Sequence, residues 1–221
     1  MYKACIFDLD GTLTDTLESL TFSVNETLKE MDLPEITEEQ CRAFVGNGAR
    51  FLMEKAVSVS GKEHLSRMDE AMERYGRIFD ENCTYHVIPY SGVISMLEEM
   101  SRKGIELAVL SNKPHRQAVH VVEEIFGKNR FQWIQGQKDN VPRKPDPTAA
   151  LQIASELGAS PEETVYIGDS EVDVATGLAA GMLTIGVAWG FRERSVLEDA
   201  GAENIADSPQ EIMKLINREV L

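Results

Sequence analysis

Apolar residues along this chain follow two rhythms. In the first ten residues and again in the second half, short apolar runs stop abruptly at polar residues. Ala4-Cys5-Ile6-Phe7 ends at Asp8, and Glu106-Leu107-Ala108-Val109-Leu110 ends at Ser111-Asn112. Thr164-Val165-Tyr166-Ile167-Gly168 ends at Asp169, and Leu183-Thr184-Ile185-Gly186-Val187 runs into Trp189-Gly190. Runs of this length read as buried strands of a parallel sheet. Phe131-Gln132-Trp133-Ile134 is a weaker run of the same kind.

Between these runs the apolar positions take helical spacing. Val93, Ile94, Leu97 and Met100 mark a helix within Tyr90 to Arg102, with Gly104 as its stop, and Pro114 to Phe126 closes on Gly127. Asp146-Pro147 reads as an N-cap followed by proline at the first helical position, leading into Ala149 to Leu157 and stopping at Gly158. Ser208-Pro209 starts a last helix by the same logic. Strand and helix in alternation imply an α/β fold, a Rossmann-like parallel sheet with helices on both faces.

From about Thr16 to Tyr85 the strand rhythm disappears. Leu17, Leu20, Val24 and Leu28 make one helical stripe, Thr37-Glu38-Glu39-Gln40 reads as a capping box, and Phe51, Leu52, Lys55 and Ala56 continue the pattern. A charged run from Lys62 to Asn82 follows. A parallel crossover needs only about a dozen residues, so this stretch is too long to be a connector. It predicts an inserted all-α domain of roughly four helices. The expected division is a core of residues 1–15 and 86–221 with a helical cap at 16–85.

Composition narrows the function. The chain has 221 residues, 43% hydrophobic and 27% charged, which is ordinary globular composition, with room for one large domain or two small ones. Its formal charge of -15 argues against nucleic-acid binding, which needs cations to displace counterions, and against anionic membrane surfaces. Cys5, Cys41 and Cys83 are widely spaced and form no CxxC or Cys/His pattern, so a reducing cytoplasm is the expected setting. Carboxylates at Asp8 and Asp10 come too early for a signal peptide, and the most apolar stretch, Leu178 to Phe191, is too short to span a bilayer. A soluble protein, monomer or homodimer, is expected.

Open parallel sheets bind ligands beyond the carboxyl ends of their strands. The polar residues at those ends are Asp8, Asp10, Ser111, Asn112 and Asp169, with Lys144 on a loop before a helix. Converging carboxylates repel and stay protonated unless a cation joins them. Magnesium accepts hard carboxylate oxygens together with substrate phosphate. A hydroxyl at Ser111 and a point charge at Lys144 suit phosphate oxygens. The set reads as a site for phosphoryl transfer. Each member has an ordinary reading of its own: Asp8 and Asp10 as a solvated turn, Asp169 and Asp173 as a helix start, Lys144 beside Arg143 as a surface cation. Their shared placement carries the chemistry. His64, His86, His115 and His120 are scattered and read as surface or structural, and Trp133 and Trp189 as packing.

Asp8-Leu9-Asp10-Gly11-Thr12-Leu13 resembles the first motif of the haloacid dehalogenase superfamily, DxDGT, without a departure. Val109-Leu110-Ser111-Asn112-Lys113 is similar to its second motif, Lys144-Pro145 to its third, and Gly168-Asp169-Ser170 followed by Asp173 to its fourth. The resemblance implies Asp8 as nucleophile through an aspartyl-phosphate, and Asp10 as general acid and then base. It implies Mg2+ held by Asp8, the backbone carbonyl of Asp10 and Asp169, with Asp173 in support. It also implies Ser111, Lys144 and backbone amides around Asp10, Gly11 and Asn112 on the phosphoryl group.

The superfamily's dehalogenases lack the second aspartate, and its phosphonatases use a cap lysine. Asp10 is present and Val45-Gly46-Asn47-Gly48-Ala49-Arg50 has no lysine, so both are disfavoured. That segment, with Val187-Ala188-Trp189-Gly190-Phe191 and Ala200-Gly201-Ala202, resembles the phosphoglycolate phosphatase group. The implied substrate is a small phosphorylated metabolite, 2-phosphoglycolate first, with Arg50 either meeting its carboxylate or standing as an exposed helix arginine. Asp15 and Thr16 near the first hinge either position the cap or cap a helix. The alternatives are a phosphomutase of the β-phosphoglucomutase type, a pyrophosphatase or nucleotidase, and a non-enzymatic phosphate-binding module.

Overall fold

A computed structural model describes residues 2–217. Its sheet is made of β1 (Ala4–Phe7), β4 (Glu106–Pro114), β5 (Trp133–Gln137), β6 (Thr164–Gly168), β7 (Leu183–Val187) and β8 (Asn204–Ala206). The order is β5-β4-β1-β6-β7-β8, and every neighbouring pair is parallel. The chain builds outward from β1 to one side through β4 and β5, then to the other through β6, β7 and β8. The switch point therefore lies at β1, between β4 and β6.

The strands alternate sides although they read as continuous apolar runs. Cys5 and Phe7 join one buried cluster with Leu107, Val109, Val165 and Ile167. Ile6 joins a second cluster with Ala108, Leu110 and Tyr166. Helices α5 (Val93–Arg102), α6 (His115–Phe126) and α10 (Pro209–Ile216) bury Leu97, Val121 and Ile212 in the first cluster, while α7 (Thr148–Glu156) buries Ala150 and Ile153 in the second. Helix α8 (Glu171–Ala179) packs on β6 and β7, and α9 (Arg194–Asp199) buries Leu197. Helices on both faces leave the strands no solvated side, which is why polar residues are confined to their ends.

Between β1 and α5 the chain makes a two-residue strand β2 (Thr14–Asp15), helices α1 (Leu17–Glu30), α2 (Glu38–Phe44), α3 (Ala49–Val59) and α4 (Met68–Asn82), and a second short strand β3 (Ile88–Pro89). Residues Lys62–Arg67 form a 3-10 turn before α4. The α1 stripe of Leu17, Leu20, Val24 and Leu28 is buried. The expected capping box is present: the Thr37 side chain accepts from the Gln40 amide at 3.2 Å, and the Gln40 side chain accepts from the Thr37 amide at 2.8 Å. Strands β2 and β3 pair antiparallel where the chain leaves and re-enters the sheet region.

Several boundaries differ from the sequence pattern for identifiable reasons. Strand β5 starts two residues after Phe131, whose ring packs edge-on against Phe126 at 5.7 Å between centroids. Helix α5 starts at Val93, after a left-handed Gly92, while the Tyr90 amide is held by the Leu13 carbonyl at 3.2 Å. The Asp146 carboxylate accepts from the Thr148 amide at 2.9 Å, so it caps α7 with Pro147 lying before the helix proper. Strands β2, β3 and β8 have two or three residues each and escape a periodicity reading.

Candidate active site

Asp8 follows β1 directly, and its amide donates to the Ile167 carbonyl at 2.9 Å, extending the sheet by one bond. The chain then coils around a single acceptor. The Leu9 carbonyl receives the amides of Thr12, Leu13 and Thr14 at 3.3, 3.0 and 3.1 Å. Gly11 sits in this coil at φ 88°, a backbone conformation that favours glycine, and a side chain there would collide with the Asp169 carboxylate. A side chain at Gly190 would likewise collide with Asp169 and with the Gly11 carbonyl. The carboxylate of Asp169 is therefore gripped between two glycines. It accepts from the Thr12 hydroxyl at 2.9 Å and from the Phe191 amide at 2.8 Å.

Asp173 lies in the first turn of α8, where Ser170 and Asp173 form a reciprocal capping box. The helix-start reading of this carboxylate is thus correct for one of its oxygens, which accepts from the Ser170 hydroxyl at 2.5 Å and amide at 3.1 Å. The other oxygen accepts from Lys144 Nζ at 2.7 Å. Lys144 Nζ also stands 2.9 Å from Asp8 Oδ1, and its side chain is 3% exposed, so this ammonium is buried between two carboxylates.

Asn112 fixes Lys144 through its backbone. It accepts from the Lys144 amide at 3.0 Å, donates to the Lys144 carbonyl at 3.2 Å, and donates to Gly46 of the helical layer at 3.0 Å. Its side-chain amide thus clamps the Lys144 backbone to the helical layer. Ser111 is buried at the end of the apolar part of β4, and its Oγ accepts from the Lys113 amide at 3.2 Å. Asp10 turns to Lys113, whose Nζ donates to Asp10 Oδ1 at 2.9 Å and lies 4.6 Å above the Phe79 ring.

These groups converge on one cavity of about 40 Å³. The sheet side contributes Asp8, Asp10, Ser111, Asn112, Lys113 and Lys144. The helical side contributes Leu20, Val45, Leu52, Tyr75 and Phe79, with Gly46 and Gly48. Arg50 lies outside the cavity. Its guanidinium stands 3.4 Å from Glu54 and 3.7 Å from Asp69, in a neighbouring cleft shared with Arg143 and Lys144. None of the four histidines lines the cavity.

The electrostatics favour a cation among the carboxylates. Oxygens of Asp8, Asp169 and Asp173 lie within 4.8 Å of one another, all buried. Burial raises the Asp8 carboxyl, Lys144 opposes it and Asp173 and Asp10 add to it, for a net value of about 7. Burial, then Asp173 and Asp8, raise Asp169 to about 8. Burial works against the Lys144 ammonium, but Asp173 and Asp8 outweigh it and hold its pKa well above the ordinary value. Asp8 Oδ1 is buried, with the Lys144 ammonium 2.9 Å away. Three buried carboxylates beside one ammonium, with no nitrogen or sulfur donor in the group, fit a hard divalent cation. The Asp10 side chain is not part of that group.

Sequence reasoning missed Lys113, Thr12 and the Phe191 amide. Lys113 stood inside a recognised motif, but its role depends on Asp10 and Phe79, far away in the chain. A backbone amide such as that of Phe191 leaves no trace in residue type.

Sheet and site together define a Rossmann-like fold with buried carboxylates and lysines gathered at its strand ends. The chain belongs to the haloacid dehalogenase-like hydrolases, whose family model matches residues 5–187. It is 34% identical to phosphoglycolate phosphatase 1 of Pseudomonas aeruginosa over 90% of this chain and 74% of that protein. It is 28% identical to the phosphoglycolate phosphatase of Aquifex aeolicus over 99% of each. A solved structure from Lactobacillus delbrueckii subsp. bulgaricus, 30% identical, aligns over 99% of both chains with a TM-score of 0.90. Among the described residues no helix is long and apolar enough to cross a membrane.

Proposed function

We propose that the protein hydrolyses small phosphomonoesters through an aspartyl-phosphate, with 2-phosphoglycolate as its preferred substrate. The content of the cavity carries this reading. Two carboxylates, two lysines and a serine face a chamber whose opposite wall is largely apolar. The names of the relatives from Pseudomonas aeruginosa and Aquifex aeolicus support the same substrate. A sugar phosphate, the substrate of a phosphomutase, would set a ring of hydroxyls against that apolar wall.

In the proposed mechanism an Asp8 oxygen attacks phosphorus, and the bond from phosphorus to the leaving oxygen breaks. Asp10 gives its proton to that oxygen, and the alcohol departs. Asp10, now a carboxylate, takes a proton from a water whose oxygen attacks the aspartyl-phosphate, releasing inorganic phosphate and Asp8. Ser111, Lys144 and the backbone amide of Asn112 hold the phosphoryl oxygens. Asp8, the Asp10 carbonyl and Asp169 would hold Mg2+, with Asp173 placing Lys144 beside it. The ion, when bound, offsets the negative charge of the phosphoryl group and of the carboxylates around it.

Residues 16–85 are proposed to act as a cap that opens to admit substrate and closes to exclude water. Three core side chains support a latched closed state by donating to backbone carbonyls of that segment. Asn112 reaches Gly46, Arg143 reaches Asn47 at 2.8 Å, and Arg192 reaches Arg42 at 3.0 Å and Val45 at 2.6 Å. Cys5, Cys41 and Cys83 are free and buried, which supports a cytoplasmic setting. A panel of phosphorylated metabolites ranked by kcat/KM tests the substrate. It should place 2-phosphoglycolate first, with phosphate released and no isomerised sugar phosphate. Undiminished phosphatase activity in Asp8→Asn, or activity indifferent to EDTA, would overturn the mechanism.

A further inference from the structure

Two buried lysines line the cavity, and they stand at different ends of the proposed reaction. Lys144 is beside Asp8, on the side of the attacking carboxylate, and its charge is shared between Asp8 and Asp173. Lys113 is beside Asp10, the group placed to protonate the leaving oxygen, and Asp10 is the carboxylate it pairs with. Its side chain is 1% exposed, and it lies under the Phe79 ring of α4. The leaving-group end of the chamber is thus bounded by Asp10, Lys113 and the Phe79 ring, in a cavity that Leu20 and Leu52 also line.

Resting on the phosphatase reading above, we infer that Lys113 is the specificity-determining residue that recognises a carboxylate on the leaving group. A buried cation interacts strongly with an anion brought beside it, because little solvent screens the pair. A leaving group whose carboxylate lies one carbon from the ester oxygen would bring that carboxylate to Lys113 while the ester oxygen faces Asp10. A neutral leaving group of the same size gains nothing from the ammonium. The preference therefore arises from the core and not from Arg50, whose guanidinium is turned toward Glu54 and Asp69.

The test compares 2-phosphoglycolate with 2-hydroxyethyl phosphate, which has the same ester linkage and a similar size without the carboxylate. In the wild-type protein kcat/KM should favour 2-phosphoglycolate. Lys113→Met lowers both rates through its contact with Asp10, and lowers their ratio by about 10- to 150-fold, the range of a hydrogen bond to a charged group. If both rates fall equally and the ratio is unchanged, Lys113 only positions Asp10 and the inference is overturned. If the wild-type protein hydrolyses 2-hydroxyethyl phosphate but not 2-phosphoglycolate, the substrate reading fails instead. Should Lys113→Met lose all turnover or fail to fold, the same ratio is read from equilibrium binding of both esters to Asp8→Asn and to Asp8→Asn with Lys113→Gln. Selective loss of 2-phosphoglycolate binding supports the inference, and equal loss refutes it.

Discussion

Lys144 Nζ donates to Asp173 Oδ1 at 2.7 Å, tying a loop cation to the first turn of α8. Asp173 also caps that helix through Ser170, so a single carboxylate joins the position of the lysine to the start of the helix. Asp173→Ala strips both partners at once. It should cost about 3–5 kcal/mol, the range for breaking a buried ion pair from one side. It should also lower kcat/KM by about 10²-fold through misplaced Lys144. Urea denaturation and steady-state kinetics measure the two effects, and near-wild-type values in both would show that Lys144 finds its place unaided.

Acid chemistry gives a second prediction. Asp8 and Asp169 have pKa values of about 7 and about 8 in the fold, against about 3.9 in an unfolded chain. Between roughly pH 4 and 8 the metal-free native state therefore holds more protons than the unfolded state, and its stability falls as pH rises through that window. Magnesium competes with those same protons. Its stabilising effect should be small at pH 5 and reach about 5–10 °C in Tm at pH 8 with saturating ion. Thermal melts with Mg2+ and with EDTA at both pH values check this; a gain independent of pH would refute it.

Arg192 immediately follows the Phe191 amide that holds Asp169, and its guanidinium spans Glu171 and the carbonyls of Arg42 and Val45. Arg192→Ala should speed amide exchange across residues 42–48 and raise KM several-fold, since the closed state binds substrate and would be less populated. The kcat should hold or rise if opening limits turnover. Unchanged exchange in that loop would show that Asn112 and Arg143 suffice.

Tyr166 is fully buried on β6, and its hydroxyl has no hydrogen-bond partner. Tyr166→Phe should leave stability unchanged or raise it by about 1 kcal/mol, because an unmet buried donor is removed. A loss of similar size in urea melts would reveal a bond from that hydroxyl to Lys144 in solution.

The legible part of this molecule was the part written in residue type at fixed spacing. Apolar runs ending in Asp8, Ser111 and Asp169 predicted three central strands and the acidic corner they share. The stripe from Leu17 to Leu28 predicted α1, and Thr37 with Gln40 predicted the start of α2. Strand β8, with only Asn204, Ile205 and Ala206, has too few positions for a pattern. The pairing of Lys113 with Asp10 was illegible for another reason. It spans 103 residues and depends on how the loops after β1 and within β4 face each other. Arg50 shows the converse, since its position near the cap loop was readable but the turn of its side chain toward Glu54 was not.

In the ribbon of β2 and β3, Asp15 stands opposite Ile88 and Thr14 opposite Pro89. The outgoing and returning strands thus meet at one seam, side by side, as at a well-placed domain insertion. A chimera that exchanges the segment between them, residues 16–87, leaves every strand of the six-stranded sheet in its place. Its kcat/KM over a panel of phosphorylated esters tests whether that segment sets the choice of substrate.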